Sequence, residues 1–199
     1  MVPLLIVLGV VLLIAFILIG MYNGLVRAKT RVDETWKQID VRLQNRYDLL
    51  PDLIQAVEKA TTTDEKILTT IAQVRAATNE AKSTTLSPEN ADQLANVEQK
   101  LNSSMQGLRI AVEAYPELRS QEAIQNFMDQ DQKIEEMIAA SRQIYNTTAR
   151  EYNEGVAVFP KNIIAGMFNF KPVNYFEAKE EARNDVGVDW GAGSKIVSR

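Results

Sequence analysis

The segment Arg31–Val57, RVDETWKQIDVRLQNRYDLLPDLIQAV, decides the fold. Its apolar stripe is made by Val32, Trp36, Ile39, Leu43, Tyr47, Leu50, Ile54 and Val57. They recur at intervals of three and four, which is the period of one face of an α-helix. Charged and amide side chains predominate at the positions between, so the helix buries one face and wets the other. Pro51 sits inside the segment, where it removes a hydrogen bond and crowds the carbonyl of Tyr47. The stripe keeps its phase beyond Pro51, so the proline reads as a kink rather than an end.

Upstream lies Val2–Met21, VPLLIVLGVVLLIAFILIGM, without one charged residue. At about 1.5 Å per residue such a run crosses roughly 30 Å of hydrocarbon. Residues 1–24 read as a transmembrane anchor, with Pro3 where a first helical turn tolerates it. The alternative is a cleaved signal peptide. Against it stand the missing basic leader, the length of the run and the lack of a small-x-small closing pattern. Arg27, Lys29 and Arg31 follow the span directly. Basic flanks resist translocation, so the N-terminus is expected outside and the body in the cytoplasm. Gly20 and Gly24 make one small-xxx-small pair at that boundary, a weak helix-contact signal.

Downstream, Thr62 with Glu65 fits a capping box. A second helix follows to about Lys82, with Ile67, Ile71, Val74 and Thr78 inward. Ser87-Pro88-Glu89 is a helix start, and the third helix turns Leu94, Val97, Leu101, Met105, Leu108 and Val112 inward. Tyr115-Pro116 stops it. A fourth runs from about Glu122 to Val158 on Phe127, Ile134, Ile138, Ser141, Tyr145, Thr148, Tyr152 and Val156. Phe159-Pro160 ends it. Ile163, Ile164, Met167 and Phe168 are expected to form an apolar turn capping the bundle, with Tyr175-Phe176 docking similarly. No alternating strand pattern occurs. The expected fold is all-α: a long antiparallel bundle of about four helices over residues 25–176, carried on an N-terminal transmembrane helix. Residues 177–199 are expected to be a charged, mobile tail.

Composition narrows the chemistry. The chain has 199 residues, formal net charge −4, no Cys and no His. Disulfides, thiol nucleophiles, His-dependent catalysis and Cys or His metal ligation are thereby excluded. All charged side chains lie at Arg27 or beyond, so the body is acidic and poorly suited to a phosphate backbone; no nucleic-acid partner is expected. Glu113, Glu117, Glu122, Glu135 and Glu136 supply carboxylates, but a di-iron bundle would pair them with His. No metal or other cofactor is expected. Gly191-Ala192-Gly193-Ser194-Lys195 lacks the spacing and context of a phosphate loop. Asn102-Ser103-Ser104 and Asn146-Thr147-Thr148 match glycosylation acceptors, which matter only in a secretory pathway.

Two constellations remain. Arg42 and Arg46 are four residues apart on one helix face, as are Asp48 and Asp52, all beside Pro51. They read either as an ion-pair network fixing the kink and register or as a docking surface for a partner. Tyr145-Asn146 and Tyr152-Asn153 repeat one heptad apart. Each Tyr is expected inward with its hydroxyl on a polar partner and each Asn beside it, as packing rather than a ligand site.

Tyr22-Asn23, Val32, Trp36, Ile39-Asp40-Val41, Leu43 and the block Arg46-Tyr47-Asp48-Leu49-Leu50-Pro51-Asp52-Leu53 together resemble the LemA family of bacterial membrane proteins. Glu113-Ala114-Tyr115-Pro116-Glu117-Leu118, Ser141-Arg142, the two Tyr-Asn pairs, Phe159-Pro160, Tyr175-Phe176-Glu177-Ala178 and Glu181-Ala182-Arg183 continue the resemblance in order. It implies a membrane-tethered helical bundle with envelope-related, scaffolding or membrane-shaping roles, and it brings no catalytic residue. The expected function is therefore a non-enzymatic scaffold or assembly protein of the bacterial inner membrane. Its expected partners are the lipid bilayer, further copies in a homo-oligomer and an unidentified envelope protein. The alternative is an adaptor or sensor that binds a partner protein or small ligand at the membrane. A hydrolase is the least supported class.

Overall fold

One helix, α1, runs without interruption from Val2 to Ala60. At about 1.5 Å per residue it is roughly 90 Å long. The structure is a computed structural model that describes residues 2–61 and 64–176. Helix α2 follows over Glu65–Ser83, then a 3-10 turn at Pro88–Asn90, α3 over Ala91–Ala114, the single turn α4 at Pro116–Arg119, α5 over Glu122–Ala157 and α6 over Lys161–Met167. Among the described residues there is no strand. The all-α bundle read from the apolar stripes is the fold observed.

The two halves of α1 obey different solvents. Leu4 through Ile19 carry exposed Leu, Ile, Val and Phe side chains with nothing packed on them. From Leu25 onward the apolar residues are buried on one face: Leu25, Val32, Trp36, Ile39, Leu43, Tyr47, Leu50, Ile54 and Val57. The helix passes Pro51 and continues to Ala60, with the proline on the exposed side. A proline removes its own N–H from the ladder and crowds the carbonyl four residues back. Leu50, Leu53, Ile54 and Val57, buried on both sides of it, hold the helix in phase.

Cross-helix pairs fix the topology. Arg75 of α2 meets Glu58 of α1, and Lys82 meets Asp48, so α1 and α2 are antiparallel. Lys100 of α3 meets Glu80 of α2. Arg46 meets Asp131 of α5, and Arg31 meets Glu151, so α5 descends beside α1. The helices alternate up and down. Toward the anchor the α2–α3 hairpin falls short, and α1 is covered there by α5, α6 and the extended segment that follows α6.

The helix ends have local causes. Asp64, in extended backbone, accepts the amides of Lys66 and Ile67 and so caps α2. The cap expected at Thr62 is thus taken by Asp64; Thr62 itself lies outside the described residues. The Tyr115 hydroxyl donates to the other Asp64 oxygen at 2.6 Å, tying the start of α2 to the end of α3. At the far end of α6, Asn169 has φ 57°, and the Phe170 amide reaches back to the Ala165 carbonyl at 2.9 Å. A left-handed residue closing a six-residue ring is how a helix stops and its chain reverses. Of the four residues expected to cap the bundle, Ile164 is buried against Leu25, whereas Ile163, Met167 and Phe168 face outward. The expected tail, 177–199, with Gly191–Lys195, lies outside the described residues.

Asp64→Ala removes a cap and the Tyr115 acceptor together. It should lower the melting temperature by a few degrees in a circular-dichroism melt, and Asp64→Asn should recover most of the loss.

Candidate functional site: a buried charge layer and an asparagine ladder

Arg46 belongs to the inward register of α1, between Leu43 and Leu50. Only 1% of it is exposed. A guanidinium drawn into a core needs partners for its donors. Nε donates to Asp131 Oδ1 at 2.8 Å, and Nη1 donates to Asn102 Oδ1 at 2.6 Å and to Glu98 Oε2 at 3.2 Å. Glu135 Oε2 lies 3.9 Å from Nη2 at the rim. Glu98 and Asp131 are themselves 1% and 0% exposed. The Tyr47 hydroxyl donates to Glu98 Oε1 at 2.5 Å, and Arg142 approaches Glu98 Oε2 at 3.4 Å. Helices α1, α3 and α5 are therefore joined in one layer by opposite charges.

The energetics of this layer follow from its dryness. Burial opposes the Arg46 charge, but the charge and hydrogen bond of Asp131, with Glu98 and Glu135, outweigh it and raise the guanidinium pKa. Burial lowers the Arg142 pKa, and the charge of Arg46 adds to that effect against the pull of Glu98. Burial and the Glu98 carboxylate push the Tyr47 phenol far above its ordinary value. Fixed, mutually neutralised charges of this kind specify which helix faces meet.

The five residues Arg42, Arg46, Asp48, Pro51 and Asp52 do not assemble into one network. Arg46 goes inward; Asp48 stays exposed with Gln44 and Lys82; Asp52 and Pro51 are exposed and Arg42 is half-buried. Asp52 lies instead on an open depression at the end away from the anchor, with Gln55, Lys59, Gln121, Ile124 and Phe127. Sequence reasoning missed Glu98, Asn102 and Asp131 as the partners of Arg46. A signal existed. Glu98 falls between Leu94 and Leu101, and Asp131 between Phe127 and Ile134, each at intervals of four and three. A carboxylate in an apolar register calls for a buried cation on a facing helix.

The two Tyr-Asn pairs do come together, on a shared partner. After α6 the chain turns and runs extended beside α5 through residues 171–176. Asn153 donates to the Val173 carbonyl and accepts the Val173 amide, both at 2.9 Å. Asn146 does the same with Phe176, at 2.9 and 2.8 Å. Tyr152 donates to the Lys171 carbonyl at 3.0 Å and Tyr145 to that of Asn174 at 2.7 Å. One heptad of helix rises about 10 Å, and three extended residues span about the same. The repeat of seven on α5 thus meets a repeat of three on the strap. Each amide side chain replaces the partner strand that an isolated extended segment lacks. The ladder ends where Phe176 packs on Trp36 and under the Arg142 guanidinium, 4.2 Å from its ring centre. Asn174 also donates to the Glu89 carbonyl at 3.1 Å, which ties the strap to the α2–α3 connection. Both glycosylation-type asparagines, Asn102 and Asn146, are thus engaged inside the fold.

An uninterrupted helix whose first third suits lipid, bound into a bundle by a dry charge layer and a strap, defines a membrane-associated, all-α tethered bundle. The chain belongs to the LemA family, whose profile matches residues 35–190. A shorter stretch is similar to Magnetosome protein MamQ 2 and Magnetosome protein MamQ 1 of Paramagnetospirillum magneticum, each 33% identical over 72 residues. Magnetosome protein MamQ of Magnetospirillum gryphiswaldense is 32% identical over 72 residues. The matched stretch is 36% of this chain and 26% of each of these relatives, so the chain covers about a quarter of their length.

Arg46→Ala leaves Asp131 buried without its cation and Glu98 with Arg142 alone. It should cost about 3–5 kcal/mol of unfolding free energy, whereas Arg42→Ala should cost less than about 1 kcal/mol; chemical denaturation in detergent reads both. A second expectation concerns pH. Burial raises the phenol pKa of Tyr47, Tyr145 and Tyr152, while tyrosines of the unfolded chain ionise near about 10. Below that pH both states keep the proton and the stabilisation is complete. Above it the unfolded chain ionises first, so stability should fall as pH rises past about 10. Melting temperature measured against pH, in the native chain and in Tyr47→Phe, checks this; the slope should be shallower in the variant.

Proposed function

We propose that this protein is a non-catalytic scaffold that holds a rigid helical bundle at a fixed attitude on the bacterial inner membrane and assembles with further copies or an envelope protein. The observation that carries the proposal is the unbroken α1, which passes from the apolar anchor into the core without a hinge. A bundle meant only to be tethered needs a flexible linker. A bundle meant to present a surface at a set height and angle needs a continuous strut. The buried charges support the same reading, since Arg46, Glu98 and Asp131 are spent on one another. Gly20 and Gly24 have open space around them at the boundary, where a second helix could approach closely.

The proposed topology puts the N-terminus outside and the body in the cytoplasm. Arg27 and Arg31, exposed just beyond the span, support it. The second reading, an adaptor, draws on the open depression bearing Asp52, Lys59 and Phe127.

Light scattering of the full chain in mild detergent, beside the chain lacking residues 1–24, separates the two. The scaffold reading expects a discrete oligomer for the full chain, and the truncation tells whether the anchor or the bundle drives it. Monomers in both samples, with no co-purifying protein, would refute it and favour the adaptor. A reporter fused at Arg199 should be cytoplasmic; an exported reporter would reverse the topology.

A further inference from the structure

Five large apolar side chains stand exposed around α6: Val158, Phe159, Ile163, Met167 and Phe168. Phe159 is 74% exposed, Met167 73% and Ile163 53%. Contiguous apolar surface of this kind marks an interaction face. Its position says what it meets. The opposite face of α6, through Ile164 and Ala165, packs on Met21, Tyr22 and Leu25 of α1. These residues lie at the end of the apolar run and just beyond it. The Phe168 ring lies 4.7 Å from the Tyr22 ring, and Phe170 lies 5.8 Å from it.

The level of this contact is set by the anchor. If residues 3–20 fill the hydrocarbon, Tyr22 lies about 3 Å further along the helix axis. The polar layer on each side of a bilayer is about 5–8 Å deep. Tyr22 is then in that layer, where aromatic residues concentrate, and α6, in contact with it, is there too. Ile163 and Met167 are four apart on the outward face of α6. Phe159 and Phe168 flank it, and the exposed Lys161 and Lys171 supply cations at the same level. Apolar residues on one side with lysines at the margin are the composition of an element lying in the headgroup layer.

We propose that α6 with its flanking turns is a lipid wedge, seated in the headgroup and upper acyl region of the same bilayer that α1 crosses. The inference rests on the reading of α1 as a membrane span and adds a second, in-plane attachment to it. Two attachments fix an orientation that a single span leaves free to rotate. They also place apolar volume in one leaflet only. The strap begins directly after the wedge, so the force of lipid on α6 is carried into α5 through Asn153 and Asn146.

The test uses the full chain in phosphatidylcholine vesicles. The native sequence has no Cys, so one introduced Cys takes one environment-sensitive fluorophore. Labels go at Phe159→Cys, Ile163→Cys and Met167→Cys, with Val11→Cys in the span and Ile110→Cys on α3 near the far end of the bundle. All five positions are exposed in the protein, so melting temperatures should match the native chain. Spin-labelled lipids carry the quencher either close to the headgroup or at the end of the acyl chain. The wedge labels should lose more than half their intensity to the shallow quencher and little to the deep one. Val11→Cys should respond to the deep quencher and Ile110→Cys to neither. If Val11→Cys is quenched and the wedge labels behave like Ile110→Cys, the wedge is wrong and the span stands. If Val11→Cys escapes quenching, the span fails and the wedge with it. Wedge labels that are blue-shifted yet unquenched would mean a protein cover, a second copy or a partner, and would also overturn the proposal.

Discussion

A single helix that must satisfy two solvents governs this molecule. In its first third every face of α1 is apolar, which suits lipid on all sides. From Leu25 onward only one face is apolar, which suits a bundle in water. No glycine-rich or proline-rich linker separates the regimes, so the body inherits the direction of the anchor. Everything else in the fold completes the buried face of that strut. The α2–α3 hairpin covers its distal part, α5 runs beside most of it, and α6 with the strap covers the stretch next to the membrane. Pro51 is tolerated in the strut because packing on both sides of it outweighs one missing hydrogen bond.

The dry charge layer answers a problem that apolar stripes leave open. Leu, Ile and Val faces can slide by a turn with modest loss, because one aliphatic contact resembles the next. Arg46 cannot slide. Its donors meet Asp131, Asn102 and Glu98 in one register only, and a shift of one turn would strand three buried charges. Replacing such a network by apolar side chains often costs little stability, so its value here is in specificity: it sets the heights of α1, α3 and α5 relative to one another. The asparagine ladder does similar work for the last described segment. An extended segment beside a helix has no sheet to satisfy its backbone, and Asn146 and Asn153 supply both halves of the missing pairing at Phe176 and Val173.

Much of this was legible in the residues. The four long helices and most of their inward residues followed from intervals of three and four, and Ser87-Pro88-Glu89 and Tyr115-Pro116 marked real boundaries. Three things were not. Glu98 and Asp131 occupy stripe positions, yet a carboxylate carries no apolar signal, and spacing alone pairs Arg46 with its local neighbours Asp48 and Asp52. Local spacing reports who shares a helix face; it does not report which faces meet. The role of Asn146 and Asn153 was hidden for another reason. Their partners are backbone groups some twenty to thirty residues away, and backbone groups leave no trace in the identity of a residue. The cap at Asp64 rather than Thr62 is a smaller case, since both side chains can accept an amide and the chain path decides between them.

The central claim is that membrane and body are joined by one rigid helix. Pulsed electron paramagnetic resonance between spin labels at Ile19→Cys and Val41→Cys, both exposed positions on α1, tests it in a lipid bilayer. An unbroken helix predicts a single narrow distance distribution near 33 Å, from 22 residues at about 1.5 Å each. A broad distribution, or one centred well below that value, would mean a hinge at the membrane surface and would contradict the account.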